Sequence, residues 1–256
     1  MGAAKLYKYL DFNGGVMMLY YKDLQFTNAT QLNDPFDCHP ALIDFSNAPK
    51  EACGGWTPEI IEELRSDPYR RTKEEAWICS LSKTYDSLLM WSYYSKHKGV
   101  CVGIDMVKAR KYLSKMWGKI MIGCDEIEIQ YKDIIEKPNY FRDAKDFYHY
   151  QLSTKAKEWA HEQEVRLFIL DPSATYMKLM PGQNDDKGPI DWKEMRAYLE
   201  IGSECFESVY IGSNMKADEK SKIIKAARIA NPEIKIYQME IDPKAFKLNA
   251  VLRIND

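Results

Sequence analysis

The chain has 256 residues with 36 Lys and Arg against 38 Asp and Glu, a formal net charge of −2 and 45% hydrophobic side chains. That is ample length for a real core, and the near-balance of charge leaves no basic footprint for nucleic acid. Six cysteines, at 38, 53, 79, 101, 124 and 205, form no CxxC pair, which speaks for reduced thiols rather than a disulfide framework or a zinc site.

In chain order, Leu6 to Leu10 reads as an opening strand that Asn13-Gly14-Gly15 breaks. Val16 to Lys22 is apolar enough for a short buried helix or a strand, and Leu24 to Asn28 alternates as a strand. Leu32-Asn33-Asp34-Pro35-Phe36-Asp37 is a turn, because Asn and Asp side chains bond nearby backbone N–H groups and Pro steers Asp34 away from helix. Residues 44–57 form a loop. Thr57-Pro58 then opens a helix to about Arg65, closed by Asp67-Pro68.

Ala76 to Ser82 is a strand, with Cys79 as a small buried hydrophobe. Asp86 to Ser95 is a helix capped by Asp86, and Lys96-His97-Lys98-Gly99 closes it with cations and a glycine. Val100 to Asp105 is a buried strand carrying Cys101, and a short helix runs from Met106 to about Met116. Ile127 to Tyr131 alternates as a strand. Apolar residues recur every three to four positions from Tyr140 to about Ala160, which predicts an amphipathic helix. Tyr176 to Met180 and Tyr198 to Ile201 are strands around a polar loop, Pro181 to Pro189. Ser208 to Gly212 is a strand, Ala217 to Ala230 a helix, and Ile234 to Ile241 and Lys247 to Arg253 are closing strands. Strands outnumber helices without strict alternation. The expectation is α+β, one mixed domain over 1–256. No apolar run nears the ~18 residues of a membrane span, and no leader pattern is read, so a cytoplasmic location is expected.

The junction Trp159 to Ile169 concentrates the polar chemistry. In an extended chain Glu162, Glu164 and Arg166 share one face, while Val165, Leu167 and Ile169 face a core. Two adjacent carboxylates raise each other's pKa unless a cation compensates, and one of them can act as a base or stabilise developing positive charge. The alternative is a solvated ion-pair cluster. Tyr7, Lys8, Asn33, Asp34, Ser80, Ser82, Trp91 and His97 are its candidate companions. Each has a plainer role open to it: Asn33 and Asp34 in the turn, Trp91 in the core, His97 at a helix end. P-loop, Rossmann, nucleophile-elbow and zincin signatures are absent.

Leu-Tyr-Lys-Tyr at 6–9, Leu-Asn-Asp-Pro-Phe at 32–36, Cys-Ser-Leu-Ser at 79–82, Met-Trp at 90–91, His-Lys-Gly-Val-Cys at 97–101 and Trp-x-x-Glu-x-Glu-x-Arg at 159–166 follow in that order. The set resembles the bacterial family called domain of unknown function 2971, whose name carries no activity. The layout also resembles ADP-ribosyltransferases: a polar opening strand, a serine-bearing middle strand and a late strand entered through Glu-x-Glu. That resemblance implies a split sheet with flanking helices and NAD as a substrate. It makes Glu164 the catalytic glutamate and Glu162 its acceptor-side companion, with Tyr7 or Lys8 on the opening strand and Ser80 or Ser82 on the middle one. The usual opening His or Arg is replaced by Tyr7-Lys8-Tyr9. The functional expectation is a transferase-like enzyme in phage defence or toxin activity, acting on a small molecule, with no membrane or nucleic-acid partner. The alternatives are a non-catalytic module binding a ligand or protein, and a metal-independent nuclease using Lys8, His97 and the carboxylates.

Overall fold

The computed structural model describes residues 4–46, 57–66, 73–117, 125–143, 146–170, 178–180 and 195–253. Its strands are β1 (Lys5–Leu10), β2 (Asp23–Asn28), β3 (Ala76–Ser82), β4 (Val100–Asp105), β5 (Asp125–Glu128), β6 (Gln130–Lys132), β7 (Thr154–Ala156), β8 (Glu164–Leu170), β9 (Lys178–Met180), β10 (Arg196–Glu200), β11 (Phe206–Ile211), β12 (Lys235–Ile241) and β13 (Leu248–Leu252). Its helices are α1 (Phe12–Tyr21), α2 (Pro58–Ser66), α3 (Leu88–Ser95), α4 (Met106–Trp117), α5 (Phe147–Ser153) and α6 (Ala217–Ala230). The fold is α+β: helices flank one large mixed sheet, as the strand-rich, non-alternating pattern implies.

The sheet runs β13-β12-β11-β4-β1-β3-β2-β10-β9, with β8 and then β5 added beside β3. Most pairings are antiparallel, and β11 with β12 is parallel. β3 is the branching strand. β8 pairs along its whole length, from Ala76 opposite Leu170 to Ser82 opposite Glu164. On the other edge β1 meets β3 at Tyr7 opposite Ser82, while β2 meets it at Thr27 opposite Ile78 and Asn28 opposite Trp77. β1 and β2 therefore part company along one strand, and the sheet is split there.

Alternation sorts the two faces. Trp77, Cys79 and Leu81 of β3 join Val165, Leu167 and Ile169 of β8 in the main core, together with Leu19 of α1 and Ile223 and Ala227 of α6. Inward-facing Val165, Leu167 and Ile169 are as the sequence implied. The opposite face is also covered. Tyr7, Tyr9, Trp91, Cys101 and Tyr210 form a second cluster, and Ile78, Phe168 and Leu152 a third. Glu164 and Arg166 therefore sit between packed layers rather than on a solvated surface.

Several local expectations change. Asn13-Gly14-Gly15 does not break the chain but enters α1, because the Asp11 side chain caps the Gly14 N–H at 2.7 Å. Gly15 is needed for close packing: a Cβ there would lie 2.3 Å from Val100 Cγ2. The cap of α3 is Ser87 rather than Asp86, whose carboxylate takes the Thr84 hydroxyl instead. The strand expected at Ile127–Tyr131 is interrupted at Ile129 and becomes β5 and β6.

The largest correction concerns the long helix expected from Tyr140 to Ala160. Among the described residues of that stretch only α5 is α-helical, and the chain then extends as β7, pairing in parallel with β6 before a 3-10 segment, Lys157–Glu162. A strand partner outweighs helical periodicity here, as tertiary context commonly does. Gln163, in the left-handed region at φ 45°, then turns the chain into β8. The expected helix closure at Asp67-Pro68, most of the loop expected at 44–57, the polar loop Pro181–Pro189 and the start of the Tyr176–Met180 strand lie outside the described residues.

Candidate active site in the split of the sheet

Where β1 and β2 diverge, the edge of β3 is left open, and Lys8 reaches across to donate from Nζ to the Ser80 carbonyl at 2.8 Å. A cavity of about 370 Å³ opens at this point, with Tyr7, Lys8, Asn33, Ser80, Ser82, Glu162 and Glu164 in its wall. It adjoins a second cavity of about 450 Å³ beside α1, the two sharing Lys8, Tyr9, Gln25, Tyr94 and Arg196. The sheet edge thus forms the floor of an elongated cleft.

Beneath Glu162 and Glu164 lies a buried ion cluster. Arg166 donates from Nε to Glu164 Oε1 at 2.8 Å, and from Nη2 to Glu164 Oε2 at 3.2 Å and Asp37 Oδ2 at 2.7 Å. Its Nη1 donates to the Leu152 carbonyl at 3.0 Å. From β7, Lys155 Nζ donates to Glu162 Oε2 at 2.5 Å and Glu164 Oε2 at 3.0 Å, and lies 3.7 Å from Asp37 Oδ2. The Tyr94 hydroxyl donates to Glu162 Oε1 at 2.6 Å. All five charged side chains are at most 5% exposed. Three carboxylates and two cations meet here in a low-dielectric setting, where pairing matters far more than at a surface.

The main chain is held as firmly. The Glu164 N–H donates to the Tyr131 hydroxyl at 2.7 Å, and the Ser82 hydroxyl donates to the Glu162 carbonyl at 2.6 Å. Lys73 anchors the Asp37 carbonyl from outside the cluster.

Protonation follows from this geometry. Burial pushes the Glu164 carboxyl up, but Arg166 and Lys155 outweigh it, helped by a hydrogen bond with Ser80, and hold the group well below the usual carboxylate range. Burial opposes the charge on Lys155 too, and Glu164 and Asp37 overcome it, raising its pKa. Burial and the Glu162 charge push the Tyr94 phenol up, so it stays a donor. Burial likewise lifts Tyr131 to about 12. A carboxylate held this firmly ionised is a poor proton acceptor at neutral pH. It is suited instead to facing developing positive charge.

The structure brings seven of the eleven candidate residues onto one cleft: Tyr7, Lys8, Asn33, Ser80, Ser82, Glu162 and Glu164. Arg166 lies behind them, 1% exposed, and acts on the cleft through Glu164. Three stand apart. Trp91 is fully buried in the core, its indole N–H donating to the Tyr85 carbonyl at 2.8 Å. Asp34 caps its own turn, accepting the Phe36 N–H at 2.9 Å, and lines a different cavity. His97 also lines a different cavity, with Leu88 and Asn214 among its neighbours, so Lys8 and His97 do not share a site.

Sequence reasoning missed Lys155, Asp37 and Tyr94. Asp37 was visible only as the end of a turn, and Tyr94 only as part of an apolar helix face. Lys155 was hidden inside the supposed amphipathic helix. A parallel β6–β7 pairing between short segments leaves no periodic signal that would have exposed it.

No protein-family model matches this chain, and no curated protein and no solved structure resembles it closely enough to inform its fold or activity.

Proposed function

We propose that the chain is an NAD-using transferase of the ADP-ribosyltransferase kind, working in the cleft of the split sheet. The observation that carries this reading is the parting of β1 and β2 along β3, which lets Lys8, Ser80, Glu162 and Glu164 converge on one concave surface. In the transfer, the bond between ribose C1′ and nicotinamide breaks and nicotinamide leaves with the electron pair. The positive charge left on C1′ and the ring oxygen is offset by Glu164, whose ionised state needs no rearrangement at that moment. An acceptor nucleophile then bonds to C1′ and gives up its proton to water. Glu162 stands on the acceptor side, while Tyr7, Lys8 and Ser80 shape the pocket. The ordered motifs from Leu6 to Arg166 support kinship with the domain of unknown function 2971 proteins, and the transferase reading carries with it a role in bacterial defence or toxin activity.

Calorimetric titration with NAD tests the binding step. Saturable heat that weakens when Ser80→Trp fills the cleft is the expected result. An absence of heat with the unaltered protein would turn the reading toward a binding module. That second reading has its own support: Lys155, Arg166 and Tyr94 already engage the carboxylate oxygens of Glu162 and Glu164.

A further inference from the structure

A separate cavity of about 460 Å³ lies on the far side of Lys155, with Asp34, Phe36, Ile134, Glu158 and Trp159 in its wall. It is built from the 33–37 turn, the segment following β6, and the 3-10 segment after β7. Its walls combine an apolar rim with carboxylates that form no ion pair among the described residues. Phe36 is 53% exposed and Ile134 77% exposed. Among the charged groups in the wall, Lys155 is committed to Glu162 and Glu164, Lys132 to Glu136 at 3.0 Å, and Asp133 to Lys157 at 2.7 Å. Two carboxylates remain. Glu158 forms no ion pair among the described residues. Asp34 is 2% exposed, and while its Oδ1 accepts the Phe36 N–H, its Oδ2 is buried with no hydrogen-bond partner among the described residues. A buried carboxylate oxygen without a donor is an unmet demand that native interiors rarely leave standing.

The Trp159 ring adds a second feature. The Lys155 ammonium lies 5.0 Å from its centroid, so the ring already works as a cation platform. A ligand with a cationic head and an apolar body would meet the carboxylates with the head and Phe36, Ile134 and Trp159 with the body. A neutral or anionic ligand would leave the carboxylates unanswered or repelled.

We infer that this cavity is a second ligand site, selective for an organic cation with an aromatic or aliphatic body. The inference stands apart from the transferase reading, since it needs neither NAD nor turnover. The test is a titration with 2-phenylethylammonium followed by the Trp159 indole N–H signal in a nitrogen–proton correlation spectrum, the signal being assigned by its loss in Trp159→Phe. A saturable shift at millimolar ligand is expected, with 2-phenylethanol, which lacks the charge, giving none. Glu158 is exposed, so Glu158→Gln keeps the fold and should weaken binding about tenfold. Asp34→Asn should weaken it by at least as much. A Trp159 signal unmoved by the ammonium ligand, or moved equally by the alcohol, would overturn the inference, as would unchanged affinity in Glu158→Gln.

Discussion

Glu164 and Arg166, two residues apart on one strand, form a two-point ion pair, with Nε 2.8 Å from Oε1 and Nη2 3.2 Å from Oε2. Residues at this spacing share a strand face, and here that face is sealed by packing rather than open to water. Removing the guanidinium leaves Glu164 and Asp37 short of a cation in the interior. Arg166→Met should therefore cost about 3–5 kcal/mol in urea unfolding, the usual penalty for breaking a buried pair. Adding Glu164→Gln to Arg166→Met should restore part of the loss. A double variant as unstable as the sum of the two single changes would mean the residues do not act as a pair.

The same cluster fixes how stability responds to pH. Glu164 has a folded pKa depressed below the ordinary 4.5, so its contribution is present above that value and lost as pH falls through the lower folded pKa. Lys155 has a folded pKa raised above the ordinary 10.5, so its contribution is full below that value and lost only as pH rises through the higher one. Between these limits neither Glu164 nor Lys155 adds slope. Lys155→Met should lower stability at neutral pH and make its fall on the acid side shallower, because Glu164 loses one of the cations that depress its folded pKa and less pH-dependent stability is left to lose. Chemical denaturation across a pH series would reveal this, and identical curves for the two proteins would refute it.

Lys8 clasps the split by donating to the Ser80 carbonyl while exposing part of its side chain to the cleft. One such bond is worth about 1.5–3 kcal/mol at most when charged, and less where water reaches it. Lys8→Met should thus lower stability by no more than about 1.5 kcal/mol yet reduce NAD affinity roughly tenfold. Equal affinity in thermal-shift titrations of the two proteins would remove Lys8 from the binding surface.

Helix α1 forms one side of the extended cleft through Asn13, Gly14 and Met17, and its distance from β4 depends on Gly15. A methyl group there meets Val100 Cγ2 at 2.3 Å, so Gly15→Ala should destabilise by about 1–3 kcal/mol through overpacking. A melting temperature that stays put would show that the helix can shift freely.

Much of this arrangement can be read along the chain where the signal is local. Val165, Leu167 and Ile169 declare the core face of β8 by alternation, the Ala76–Ser82 run declares its neighbour β3, and the Val100–Asp105 run declares β4 further along the same sheet. Glu162, Glu164, Ser80 and Lys8 are recognisable as polar residues on or beside strands. What local reasoning lacks is the third dimension. Phe168 and Leu152 bury the polar face of β8, which alternation alone assigns to solvent. Asp37 lies 129 positions before Arg166, and no spacing rule connects them. Lys155 looks like one more solvated lysine on a helix until β7 pairs with β6 and carries it inward. His97 and Trp91, attractive by residue type, belong to a helix end and a packed core.

The most direct measurement is nicotinamide release from NAD by the purified protein and by its Glu164→Gln variant, each checked for folding by circular dichroism. The account predicts slow release by the unaltered protein, and loss of that release in a folded variant. Undiminished release by folded Glu164→Gln would contradict it, as would no release and no NAD binding by the unaltered protein.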